Sequence, residues 1–199
     1  MSQHETSGEG GRVGIWLFIS TEILLFGGLF LLYSMYRLKN PVEFHNGSLE
    51  LSRIFGTINT CILITSSLTV ALSIHAILRG KKRQTIAYLI GTIGLAFCFL
   101  IVKAFEWTEK FHHGLYPNAK VLSSKAHGEI LYFGLYYMMT GLHAVHVIVG
   151  ICVLSVMLSW VIRNKLTSNN PAYLQNAGLY WHLVDLIWIF LFPLFYLIT

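Results

Sequence analysis

The chain has 199 residues, of which 55% are hydrophobic and 12% charged, and its formal net charge is +5. An ordinary soluble domain carries about a quarter charged residues, so this composition excludes one and specifies an integral membrane protein. The basic residues gather at the ends of apolar runs, as orientation and lipid headgroups require, and nothing suggests nucleic acid as a partner.

Five apolar runs can each cross a bilayer, since about 20 residues suffice. The predicted fold class is all-α: a polytopic membrane protein, a bundle of five transmembrane helices at about 13–36, 54–78, 84–108, 130–162 and 177–198. These helices form one unit over 13–199, after a polar tail at 1–12. The tail lacks a basic start followed by a short apolar core and a cleavage site, so no removable signal peptide is expected.

In the first run, Trp16 near one end and Tyr33 and Tyr36 near the other read as the two aromatic belts. Glu22 is its one ionisable residue. Ionising a carboxyl in hydrocarbon costs several kcal/mol, so Glu22 is neutral or paired. Two readings stand for it: a proton-linked or lipid-facing acid, or a neutral carboxyl hydrogen-bonded to a neighbouring helix.

The second run is dense in small hydroxyl residues, Thr57, Thr60, Thr65, Ser66, Ser67, Thr69 and Ser73, which favour close helix contact. His75 near its end reads as a satisfied polar contact rather than a ligand. The turn Arg79-Gly80-Lys81-Lys82-Arg83 is short and strongly basic. In the third run Lys103 and Glu106 stand at i,i+3 and can pair, at or just below the interface, where long side chains reach water. Glu106 is thus a second polar site to weigh, with an interfacial ion pair as the plain reading. The connection from Phe111 to Glu129 is polar and expected to be exposed.

The fourth run, Ile130 to Ile162, has no Lys, Arg, Asp or Glu. His143 and His146 lie three residues apart on one face, and lipid-facing imidazoles are costly, so both should face protein. Gly141 and Gly150 should let neighbouring helices approach. The last run carries His182 and Asp185, again at i,i+3, where the carboxylate can accept the imidazole N–H; Asp185 is the only aspartate in the chain. Cys61, Cys98 and Cys152 stand in apolar runs without metal-ligand spacing and are expected to be buried packing residues, in neither a disulfide framework nor a thiolate site.

Four histidines in apolar runs permit a haem held by two of them but do not demand it, and a di-iron site lacks its second Glu-x-x-His motif. A phosphate loop and a nucleophile elbow are both missing, and no internal repeat of a transporter is visible. Orientation is a tie by number, seven basic residues on each side; the density of the Arg79–Arg83 turn places the N-terminus in the cytoplasm and the C-terminus outside.

Thr140-Gly141-Leu142-His143-Ala144-Val145-His146-Val147-Ile148-Val149-Gly150 resembles the signature of subunit III of haem-copper cytochrome oxidases. Tyr180-Trp181-His182-Leu183-Val184-Asp185-Leu186-Ile187-Trp188 is similar to that family's final-helix motif. Thr167-Ser168-Asn169-Asn170 resembles the link before it, and Ser20-Thr21-Glu22 stands where the family has its Ser-Glu, with Thr21 in place of the usual Ser. Glu106-Trp107 resembles the family's Glu-Tyr. The resemblance runs from Val13 to Thr199 and lacks the first two helices of seven-helix members, which fits a short, five-helix bacterial form.

The resemblance implies an accessory core subunit that contributes no catalytic residue, cofactor-binding site or metal ligand. Haem and copper would sit in partner subunits, and reduction of O2 to water with proton pumping would be the activity of the complex. It implies direct packing on subunit I, association with subunit II and other respiratory subunits, contact with membrane lipids including bound phospholipid, and a place in the bacterial inner membrane. Glu22 would match the buried carboxyl linked to proton behaviour; Glu106, His143, His146, His182 and Asp185 would be proton-linked or structural polar sites. The alternatives are a homologue accompanying a nitric oxide reductase, a free-standing membrane haem- or quinone-binding protein, and a small transporter.

Overall fold

Seven α-helices and a closing π-helical turn make up the computed structural model, which describes residues 3–116, 119–168 and 170–197, with backbone alone for 3–12 and 120. They are α1 (Gln3–Lys39), α2 (Pro41–Leu49), α3 (Arg53–Leu78), α4 (Lys82–His112), α5 (Lys120–Ser123), α6 (His127–Ile162) and α7 (Ala172–Phe192), followed by the turn Pro193–Leu197. No strand occurs among the described residues. Five segments are long and apolar enough to cross a membrane: Val13–Lys39, Arg53–Leu78, Lys82–His112, His127–Ile162 and Ala172–Leu197. The protein is an all-α, multi-pass membrane protein. Helical backbone extends through the stretch read as a polar tail, since α1 begins at Gln3.

Three helix ends close in the same way. Gly80, Gly114 and Asn164 take φ of 70°, 67° and 55°. In each case the next residue's N–H reaches five positions back, Lys81 to Ala76 at 2.9 Å, Leu115 to Lys110 at 3.0 Å and Lys165 to Trp160 at 2.9 Å. This left-handed closure satisfies carbonyls that the helix end would otherwise orphan. The basic turn is therefore tight enough to lay α4 back along α3.

Lipid tails are as apolar as leucine, so helices associate through packing and interhelical hydrogen bonds rather than through exclusion of water. The hydroxyls of α3 supply those bonds. Trp181 and Trp188 of α7 donate their indole N–H groups to Ser66 and Thr60 Oγ at 3.1 Å each, and Thr69 meets Thr92 of α4 at 2.8 Å. Gly150 lets Trp181 lie against α6, because a Cβ there would stand 2.6 Å from the ring. Gly141 meets only ordinary contact, 3.6 Å from Trp107.

Among the five spans packing is tightest at α7 and loosest at α1: 56% of the most apolar stretch of α7 is buried against 22% for α1. The C-terminal turn is pinned by tyrosines from two other helices. Tyr33 donates to the Leu194 carbonyl at 2.7 Å and Tyr132 to the Phe195 carbonyl at 2.9 Å. Tyr33 is thus a buried core residue and not part of an aromatic belt.

The polar connection after α4 is only partly exposed, because Leu115, Ala119 and Leu122 fold under it. Outside the spans, Lys125 bridges Glu50 at 3.3 Å and Glu129 at 2.9 Å. Burial opposes its charge, but bonds to the two carboxylates outweigh that and hold its pKa above the ordinary lysine value. The three cysteines are free and exposed rather than buried. In a membrane protein the outer surface is as apolar as the core, so a small apolar residue settles on either.

Candidate functional site

Glu22 enters the bundle from α1, the least buried of the five spans. The hydroxyls before it turn to their own helix, Ser20 donating to the Trp16 carbonyl at 2.9 Å and Thr21 to the Phe18 carbonyl at 2.7 Å. The Glu22 carboxyl is left to face α6, where its Oε2 stands 2.9 Å from Nε2 of His146. Both side chains are mostly buried, and the contact has ion-pair distance without the alignment of a full hydrogen bond.

The second nitrogen of His146 decides the chemistry. Its Nδ1 is 2.8 Å from the Leu142 carbonyl, which can only accept, so Nδ1 carries a proton. Nε2 is then the ring atom that faces the Glu22 carboxyl. Phe26 seals one side edge-on at 5.6 Å, and Tyr180 donates to the His146 carbonyl at 3.0 Å.

A second cluster lies deeper, among α4, α6 and the C-terminal turn. Lys103 and Glu106 pair at 3.0 Å with both residues almost wholly buried. They are sealed in the core, not placed at the interface as the sequence suggested. Three neighbours explain this. Lys103 Nζ donates to the hydroxyls of Tyr136 at 3.0 Å and Tyr196 at 2.8 Å. Those hydroxyls in turn donate to Glu106 Oε1 at 2.9 and 2.6 Å. The ammonium also lies 5.2 Å from the Trp188 ring centre. A buried pair survives only when its remaining donors and acceptors are met, as these are.

His143 is fully buried between Phe99 at 5.5 Å and Trp188 at 5.2 Å, and both its ring nitrogens are without a hydrogen-bond partner, as are both oxygens of buried Asp185. Asp185 does not take the His182 N–H. Ser67 Oγ stands 2.7 Å from His182 Nδ1 instead. His75 is exposed.

The structure therefore brings Glu22 to His146 and Glu106 to Lys103; His182 and Asp185 both stand beside Ser67, and His143 lies apart between Phe99 and Trp188. Sequence reasoning missed Tyr136 and Tyr196, and it named Ser67 only as one of the small hydroxyls that favour close helix contact. Tyrosines in the middle of an apolar run were the available signal, since a buried phenol needs a polar partner. Among the described residues, no three His, Cys, Asp or Glu side chains form a group that could hold a metal.

The model of the family described as cytochrome c oxidase subunit III matches residues 2–199. The chain belongs to the cytochrome c oxidase subunit III family. It is 32% identical over 194 residues to the heme-copper oxidase subunit I+III of Aeropyrum pernix, covering 94% of this chain and 22% of that one. It is 35% identical to cytochrome c oxidase subunit 3 of Allomyces macrogynus, over 92% of this chain and 64% of that one. The corresponding protein of Yarrowia lipolytica is 31% identical over 94% of this chain and 68% of its own length. The chain thus spans about a fifth of the fused subunit I+III relative and about two thirds of the separate subunit III relatives. The two motifs around His143–His146 and His182–Asp185 are the ones that carried the resemblance, and both lie at the helix contacts just described.

Proposed function

We propose that this chain is a non-redox accessory subunit of a proton-pumping haem-copper terminal oxidase, seated directly against subunit I. The observation that carries this reading is family membership, joined to a relative in which subunits I and III are one polypeptide, which makes their contact the natural arrangement. Haem and copper, O2 reduction to water, and contacts with subunit II and other respiratory subunits belong to the partners in this reading. The helical unit over 13–199 contributes support and a proton-holding group.

Glu22 and His146 are the group in question. Within the bundle the Glu22 carboxyl faces the His146 imidazole at 2.9 Å, and that contact between an acid and a base is what supports the proton-holding role. The Lys103, Glu106, Tyr136 and Tyr196 cluster is the structural counterpart, fully bonded internally and tying the C-terminal turn to α4 and α6. His143, His182 and Asp185 serve as interior polar sites of the same bundle.

The chain sits in a bacterial inner membrane with its N-terminus cytoplasmic and C-terminus periplasmic, a reading supported by the basic turn Arg79–Arg83. Phospholipid fills the apolar surface that the partners leave free. Comparing the oxidase complex with and without this chain tests the account. Expected are slower proton uptake and shorter-lived turnover with unchanged haem absorption; loss of haem on removal of the chain would contradict it.

A further inference from the structure

The basic turn between α3 and α4 and the link after α6 close on a cavity of about 140 Å³. Its floor is apolar, made by the buried side chains of Ile77, Val161 and Leu166, and its rim carries Lys82, Thr167 and Ser168. Among the described residues α1 lines no part of it. The space is several times what a single water needs.

Lys82 is the first residue of α4, and its ammonium is held in place by the end of α6. Nζ donates to the Ile162 carbonyl at 2.8 Å and to Asn164 Oδ1 at 2.6 Å. Both acceptors are neutral. An ammonium has three N–H donors, so one donor and the whole positive charge are left over. Among the described residues Lys82 forms no ion pair.

The surrounding sequence adds charge of the same sign. Arg79, Lys81, Arg83, Arg163 and Lys165 stand in the same two segments, and no Asp or Glu occurs from Ile77 to Phe105 or from Val161 to Val184. The first N–H groups of α4 lack intrahelical acceptors, and the side chain of Lys81 does not cap them, so the helix end contributes its partial positive charge. A fixed ammonium beside two hydroxyls suits a compact anion rich in acceptor oxygens. Phosphate fits that description better than a carboxylate, having more charge and more oxygens.

We propose that this cavity binds a phosphate group, held by Lys82, Thr167 and Ser168. Two sources can bring it: the headgroup of an anionic phospholipid, whose glycerol esters would cover the apolar floor, or free phosphate. The site uses neither the Glu22–His146 pair nor the Lys103 cluster, and it stands whether or not the accessory role above is correct.

The test takes the full chain in mild detergent with whatever accompanies it, and acetylates it sparingly with acetic anhydride. Peptide mass spectrometry then compares Lys82 with Lys81 and Lys165, which do not line the cavity. The additions are phosphatidylglycerol, inorganic phosphate, or dioleoylglycerol, which has the same esters and no phosphate. Phosphatidylglycerol or inorganic phosphate should slow acetylation of Lys82 by about tenfold and leave the other two lysines nearly unchanged; whichever protects identifies the source. Thr167→Val with Ser168→Ala, both at exposed positions, should remove most of that protection. Protection by neither phosphate probe, protection unchanged in the double variant, or equal protection by dioleoylglycerol overturns the proposal. Equal slowing at all three lysines also overturns it, by showing only a diffuse basic surface.

Discussion

Glu22 and His146 meet because α1 and α6 cross at their depth, and among the described residues neither forms a second ion pair. Glu22→Gln keeps the shape and removes the ionisable carboxyl. The expected outcome is an assembled complex with altered proton-linked turnover or faster inactivation, read by oxygen consumption over time; unchanged kinetics would remove the pair from the mechanism. Lys103 and Glu106 are different in kind, because every donor and acceptor between them is met inside the protein. Glu106→Gln strands the ammonium and should cost about 3–5 kcal/mol, whereas Lys103→Met with Glu106→Leu should recover most of that. Denaturation midpoints in detergent check both, and a double variant no better than the single would show that the pair itself is the source of stability. Glu22 and the paired carboxylate Glu106 could be singled out from the sequence because a charge in an apolar run stands out. The partners Ser67, Tyr136 and Tyr196 could not, since hydroxyls are common in such runs and only the crossing of helices selects which ones bond.

At the scale of the element, the glycines divide by what lies opposite them. Gly150 faces the Trp181 ring, with a Cβ position 2.6 Å away, so Gly150→Ala should destabilise by about 1–3 kcal/mol through forced separation of α6 and α7. Gly27 faces open space, and Gly27→Ala should stabilise α1 by about 0.5–1 kcal/mol through helix propensity alone. Opposite signs in the same unfolding assay are the expected result, and destabilisation by both would mean that α1 packs more closely than described. The five long helices were legible because apolar length alone specifies them. Their faces were less so. Cys61, Cys98 and Cys152 turn outward and Tyr33 turns inward, because in lipid the inside of a bundle is marked by small residues and satisfied polar groups rather than by hydrophobicity.

The whole molecule is a bundle built around α7, with α1 lightly attached and grooves along it. Its two ionic groups differ accordingly: the Lys103 cluster locks the tightly packed side, and the Glu22–His146 pair sits where α1 joins. The His182–Asp185 spacing suggested a local pair, yet the assembled bundle gives His182 to Ser67, the same α3 hydroxyl that stands beside Asp185. That outcome depends on α3 and was not readable within one helix. In the proposed function, redox chemistry resides in partner subunits and this chain supports it. The most direct test of that reading is to tag the chain, extract it in mild detergent, identify what accompanies it, and record the optical spectrum before and after dissociation. The account predicts copurifying haem-containing subunits and a separated chain without a Soret band; a chain that comes alone and carries haem would contradict it.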